Sequence, residues 1–275
     1  MTEETRILTE DEIDELVPVF ADAYPGLGIS SEKDREHLKD HILEMHTHDP
    51  TASFHGLFRD GELLGIMCLY DFEMNFLQNR IAVAGLGQVA VDLTHKREHV
   101  AREMMHHFLR SCREHNQPFA ALYPFRPDFY RNMGFGYGTK MNQYRVRPSA
   151  LPSGPSKAHI RYFTDDDQQA LVDCYQRVMD RTHGMFSKTR REAVRLFGNP
   201  QHRIVGYEKD GRVLGYLVFT WELSDHFIVH DLHVKELMAE SQEALLELMT
   251  FLNAQADQVR FVIINTQDEH FAHLL

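Results

Sequence analysis

At 275 residues the chain can bury one large core or two medium ones, since domains usually run ~100–200 residues. Its 43% hydrophobic and 25% charged content is ordinary for a folded globular protein and excludes a disordered one. With 29 Lys and Arg against 41 Asp and Glu, the formal charge is −12, which excludes the broad basic face of a nonspecific nucleic-acid binder. Cys68, Cys112 and Cys174 are odd in number and widely spaced, so a reducing compartment is expected. The acidic start, Thr2-Glu3-Glu4-Thr5-Arg6, holds no apolar signal region. The longest apolar runs, such as 66–70, fall far short of the ~20 residues of a membrane span. A cytoplasmic protein without a membrane or nucleic-acid partner is the expectation.

In chain order, Thr9-Glu10-Asp11-Glu12 opens a helix as a capping box, followed by the stripe Ile13, Leu16, Val17, Phe20. Asp60-Gly61 between apolar runs signals a tight hairpin. Residues 81–92 form a long strand, in which Gly85 and Gly87 mark a bulge, a splay where a ligand approaches, or a plain kink. A helix from Val100 to about His115 buries Met104, Met105, Phe108 and Cys112, and strand 119–122 follows. An alternating run at 140–146 reads as the closing strand of this half. The stretch 148–157, with Pro148, Pro152, Gly154 and Pro155, reads as a linker between domains 1–147 and 158–275.

The second half repeats the first. Thr164, Leu171, Val172 and Tyr175 match the first cap and stripe at an offset of 155, and Asp210-Gly211 matches Asp60-Gly61 at 150. At 143, Leu232 and Val234 match Val89 and Val91, while Ala244, Leu248 and Phe251 match Ala101, Met105 and Phe108. Elements in one order imply tandem copies of one α/β domain with a mixed sheet and a parallel crossover. On the same offset Ala239, Glu240 and Gln242 stand opposite Lys96, Arg97 and His99, so the second copy reads as structural.

The chemistry concentrates at 89–102. A helix that starts directly after a strand presents free N–H groups and a positive dipole, and Lys96 and Arg97 add charge. That arrangement suits a pyrophosphate; the alternative is a solvated basic turn. Val89-Ala90-Val91, then Lys96-Arg97-Glu98-His99-Val100-Ala101, then Phe129-Tyr130-Arg131-Asn132-Met133-Gly134-Phe135 resemble the motifs of the GCN5-related N-acetyltransferase family. Two positions depart from its pattern: Lys96 stands for Arg or Gln, and His99 for Gly. The tandem layout resembles, more narrowly, the bacterial Eis-like (enhanced intracellular survival) acetyltransferases, whose second domain is degenerate and which carry a third domain.

The resemblance implies acetyl-CoA as co-substrate, with Val89, Ala90 and Val91 pairing its pantetheine arm. It implies that Lys96, Arg97, Glu98, His99, Val100, Ala101 and Arg102 hold the diphosphate, largely through backbone, and that Phe125 and Arg126 flank the cofactor. Tyr130 is implied to be the general acid toward the departing thiolate. The function implied is N-acetylation of a primary amine, on a small molecule such as an aminoglycoside or on a lysine-bearing peptide, by a homo-oligomer. A noncatalytic acyl-CoA-binding scaffold is the alternative. Glu73 is a solvated carboxylate or, on the bolder reading, a local base. Among 18 histidines, His37 and His41 lie four apart and His230, Asp231 and His233 cluster, yet no HExxH or Cys–His spacing accompanies them, so no metal site is expected. Finally, strand 261–264 should be central and needs a neighbour on each side, yet only 11 residues follow it. From this bare edge we expect the second domain to be incomplete and the chain to continue in a longer protein.

Overall fold

The computed structural model describes residues 2–224 and 228–275, in two compact units, Met1–Gly136 and Tyr137–Leu275. In the first unit the sheet order is β1 (Glu3–Ile7), β2 (Ala52–Arg59), β3 (Glu62–Phe76), β4 (Asn79–Val91), β5 (Phe119–Leu122). All neighbours are antiparallel except β4 and β5, which are parallel and joined through helix α3 (Val100–Glu114). Helices α1 (Ile13–Ala23) and α2 (Glu32–His48) cover one face through Ile13, Leu16, Phe20, Ile42 and Met45, packed on Phe54, Ile66 and Cys68. Helix α3 and the short α4 (Pro127–Arg131) cover the other face, with Met104, Met105, Phe108 and Tyr130 on Leu57, Leu64, Ala84 and Leu86. This is the mixed sheet with helices on its faces expected from the sequence.

The second unit contains β6 (Asn142–Val146), β7 (Ile160–Tyr162), α5 (Gln168–Met179), α6 (Arg190–Gly198), β8 (Arg203–Lys209), β9 (Arg212–Glu222), β10 (His230–Ala239), α7 (Gln242–Asn253) and β11 (Val259–Thr266). Its sheet runs β6-β11-β10-β9-β8-β7. The repeat extends beyond the pattern of apolar residues. Thr9 with Glu12 and Thr164 with Asp167 are both capping boxes. In each, an arginine six residues upstream grips the capping carboxylate: Arg6 on Glu12 at 2.6–2.7 Å and Arg161 on Asp167 at 2.6–2.9 Å. Both hairpin turns put Asp and Gly at positive φ, as a two-residue turn of the primed type requires: Asp60 and Gly61 at 50° and 89°, Asp210 and Gly211 at 52° and 72°.

Four expectations are corrected. Strand 142–146 forms, but it pairs antiparallel with β11 from Val262↔Val146 to Thr266↔Asn142, so it closes the second sheet rather than the first. The first unit accordingly ends near residue 136 instead of 147. The apolar edge of β11 is covered by a strand from upstream in the chain, and the argument from a bare edge falls away. The stretch 148–157 is also no free tether. Leu151 is buried in the second core, Asn253 Nδ2 donates to its carbonyl at 2.9 Å, and the Gly154 N–H donates to Thr250 Oγ1 at 2.7 Å. One apolar side chain among prolines and serines anchors the segment to α7.

Candidate active site

Strand β4 has a strand on both sides only over residues 83–86. Its parallel pairing with β5 runs from Val83↔Phe119 to Leu86↔Leu122 and then stops, while β4 continues to Val91 against β3. The edge of residues 87–91 that faces away from β3 therefore has no strand beside it among the described residues. A bulge lies at the same place: Ile66 pairs Ala90 but Cys68 pairs Gly87, and Gln88 takes φ 52°. Its extra residue re-aims the strand as it leaves β5. Gly85 and Gly87 serve another purpose than the approach of a ligand. A Cβ on Gly85 would lie 2.2 Å from the ring of Phe72, and one on Gly87 would lie 3.0 Å from that of Tyr70. The two rings are stacked, 5.6 Å apart, across the bare strand.

The connection from β4 to α3 is a loop of residues 92–99. Asp92 opens it by accepting from the Thr94 N–H at 2.8 Å. Arg97 and His99 have φ 70° and 65°, and His99 is the N-cap of α3 with no side-chain capping bond. The left-handed backbone at His99 is the conformation that Gly adopts without cost, so the histidine accepts strain at the position where the family pattern has Gly. The first turn of α3 has its bonds from Arg102 and Glu103 N–H to the His99 carbonyl. Among the described residues, the N–H groups of 96–101 donate to no protein acceptor, and Lys96 and Arg97 are exposed and form no ion pair. Glu98 would oppose an anion, but it is neutralised by Arg59 at 2.6 Å and His95 at 3.2 Å. That contact holds the Glu98 carboxyl below its usual range and raises the His95 imidazole above its own. Arg102 lies at an exposed position beside Glu103, and Arg126 is tied to Asp128, so neither is a free cation like Lys96 or Arg97.

Tyr130 is 4% exposed and sits in the core cluster that also holds Val100 and is lined by Val89, Val91 and Phe129. The rings of Phe125, Phe129 and Phe135 stand edge-on to it at 5.1–5.9 Å. The motif spacing has a physical reason. The Phe135 N–H donates to the Tyr130 carbonyl at 3.1 Å, the Gly134 N–H to Arg131 at 3.0 Å, and Gly134 has φ 94°. This Schellman ending of α4 folds Phe135 back onto Tyr130. Burial pushes the Tyr130 phenol up to about 12, with Tyr24 adding to the shift, and the hydroxyl donates to no protein acceptor among the described residues. Tyr24, at the end of α1, donates to the Val89 carbonyl at 2.9 Å. It ties the end of α1 to the strand edge, and a single tyrosine after a helix carries no sequence pattern that would reveal this.

The acetyltransferase (GNAT) domain family matches residues 4–138, and a second acetyltransferase (GNAT) family matches residues 178–275. The chain belongs to the GNAT acetyltransferases, as two domains in tandem. An uncharacterized N-acetyltransferase of Streptomyces avermitilis is 28% identical over 162 residues, and one of Streptomyces coelicolor 30% over 140. These matches cover 52% and 47% of this chain but only 39% and 34% of those proteins. Across the fold, a GCN5-related N-acetyltransferase from Kribbella flavida superposes with TM-score 0.81 at 22% identity, over 100% of this chain and 66% of that one. Eis1 from Mycobacterium abscessus gives 0.76 at 19%, over 100% and 69%. The tandem arrangement is thus Eis-like in fold.

In the second GNAT domain the connection that corresponds to loop 92–99 is shorter. Gly65 pairs Val91 and Gly215 pairs Ala239, and the Asp92 and Glu240 N–H groups donate to the equivalent carbonyls of Leu64 and Leu214. Val100 and Met104 press on Gly65 as Ala244 and Leu248 press on Gly215. Between these anchors lie residues 92–99 in the first domain and only 240–243 in the second. A single offset of 143 therefore misaligns the strands: Val91 corresponds to Ala239, and part of the loop 92–99 has no counterpart. Ser241 caps α7 by accepting from Ala244 N–H at 3.2 Å, and Glu240 takes up Arg177, Arg181 and Arg212. The chain's own carboxylate occupies the arginines there.

Proposed function

We propose that the first GNAT domain transfers the acetyl group of acetyl-CoA to a primary amine. The observation that carries this reading is the meeting of a strand edge at 87–91 that has no strand beside it with the unpaired amides of 96–101 and two unpaired cations. When bound, acetyl-CoA supplies an acetyl thioester. The amides of 96–101 and the Lys96 and Arg97 charges hold the diphosphate, and the edge of Val89, Ala90 and Val91 pairs with the pantetheine amides. Phe125 flanks the arm beside Tyr130, and Arg126, through its pair with Asp128, borders it.

In the transfer a C–N bond forms and the C–S bond breaks; the amine loses a proton and the sulfur gains one. In this reading Tyr130 would lie beside the thioester sulfur. A thiol near ~8.5 is more acidic than a phenol near 12, so Tyr130 keeps its proton in the ground state and donates a hydrogen bond as thiolate charge develops. Glu73 receives no role as base, because it is paired with Arg80 at 2.8 Å and half exposed. The amine enters in its neutral form, and a polycation such as an aminoglycoside, or a lysine side chain, suits a chain of charge −12. We place the reaction in the cytoplasm, on a soluble amine and in a homo-oligomer; among the described residues no helix is long and apolar enough to cross a membrane.

The test is calorimetric titration with acetyl-CoA, followed by CoA release with a panel of aminoglycosides, linear polyamines and lysine peptides. Saturable binding with turnover on at least one amine is expected. Binding without turnover would favour the noncatalytic scaffold.

A further inference from the structure

A second candidate site lies in the second domain. His159, in the segment before β7, stands against two carboxylates one turn apart on α7, Glu243 and Glu247. One ligand atom from each lies within 4.8 Å of the others. Glu247 is 6% exposed and is already oriented: the His159 N–H donates to its Oε2 at 3.1 Å while Oε1 meets His159 Nδ1 at 2.8 Å. A backbone hydrogen bond on the second oxygen is the kind of outer contact that fixes a metal-ligating carboxylate. Independently, Tyr207 is fully buried with its ring 5.1 Å from that of His159, and its hydroxyl has no hydrogen-bond partner. Glu243 bears on that hydroxyl through a side-chain interaction whose geometry falls short of a well-formed hydrogen bond, with Glu247 adding charge.

We propose that His159, Glu243 and Glu247 bind a divalent cation of the zinc class, clamping the segment before β7 to α7, with the Tyr207 hydroxyl or a water as fourth donor. One imidazole nitrogen and two carboxylates are a donor set that suits zinc at ~2.0–2.2 Å. The 2.8 Å separation of Nδ1 and Oε1 needs only a small opening to admit the ion, which replaces the proton between them. Lys209 now holds Glu243 at 2.8–2.9 Å, but both side chains are substantially exposed, and a surface pair of this kind is a weak competitor. The sequence gives no sign of the site, because His159 and Glu247 are 88 residues apart.

The test titrates the metal-free full chain with Zn²⁺ alone, and with Co²⁺ for its visible absorption. One equivalent should bind more tightly than the background of surface histidines and raise Tm. His159→Gln and Glu243→Gln should each weaken that equivalent at least ~10-fold and abolish the Co²⁺ band. Both should keep the metal-free circular dichroism of the parent. Lys209→Met, which frees Glu243, should tighten binding. The proposal is overturned if no tight equivalent is found, if both variants bind it unchanged, or if Lys209→Met weakens it.

Discussion

Replacing His99 with Gly separates backbone from side chain in the anion loop. His99 has φ 65° and ψ 9°, is exposed, and makes no capping bond. A left-handed non-glycine residue costs ~1–2 kcal/mol, and Gly returns ~0.5–1 kcal/mol of that through the freedom it gains in the unfolded chain. The net expectation is a first domain more stable by ~0.5–1 kcal/mol, which for a domain of this size is a Tm higher by roughly 2–4 °C. If amides 96–101 carry the diphosphate, acetyl-CoA affinity should stay within ~threefold of the parent or tighten, since the loop can close further. Scanning calorimetry reads the first quantity and isothermal titration the second. A lower Tm, or an affinity reduced ~10-fold or more, refutes the reasoning and makes the imidazole itself a phosphate ligand.

Three further outcomes follow from named contacts. Tyr130→Phe keeps the ring among Phe125, Phe129 and Phe135 and removes only the donor, so kcat should fall ~10²–10⁴-fold with acetyl-CoA affinity nearly intact; parallel loss of both would assign the residue to packing. His95 is raised above 6.5 by Glu98, so its charge is present at low pH and is lost as pH rises through that raised value. Acetyl-CoA affinity should therefore decline with rising pH more steeply in the parent than in His95→Gln, measured by titration across pH 6–9, a window of about three units around the ordinary value; identical profiles would exclude His95. Leu151→Ala should destabilise the second domain by ~2–5 kcal/mol in a denaturant melt, because the side chain is buried at 3% exposure; a neutral result would restore 148–157 to a tether.

Local signals made most of the fold legible. The capping boxes at Thr9 and Thr164, the Asp-Gly turns and the helix stripes act over a few residues, and each formed where the sequence placed it. The errors came from pairing across distance. Residues 140–146 alternate as a strand must, but alternation does not name the partner, and β11 lies more than a hundred residues away. The offset of 143 failed because a deletion in a loop leaves apolar periodicity on both sides intact while shifting the register between them. Of the readings offered for Gly85 and Gly87, the bulge is present beside Gly87, while the space over both glycines is filled by Phe72 and Tyr70 from the neighbouring strand rather than left open. At the candidate site, the departure at His99 was visible in the sequence, but its backbone conformation was not. The roles of Tyr24 and Arg59 were invisible as well, because both act through single contacts between distant segments.

Amide hydrogen exchange with and without acetyl-CoA tests the central claim most directly, because it reads the backbone groups that the account depends on. Saturating acetyl-CoA should slow exchange in peptides spanning 87–91 and 96–101 and leave those spanning 235–244 unchanged. Protection at 235–244, or none at 96–101 despite saturation, would contradict the assignment of acetyl-CoA to the first domain's strand edge and loop.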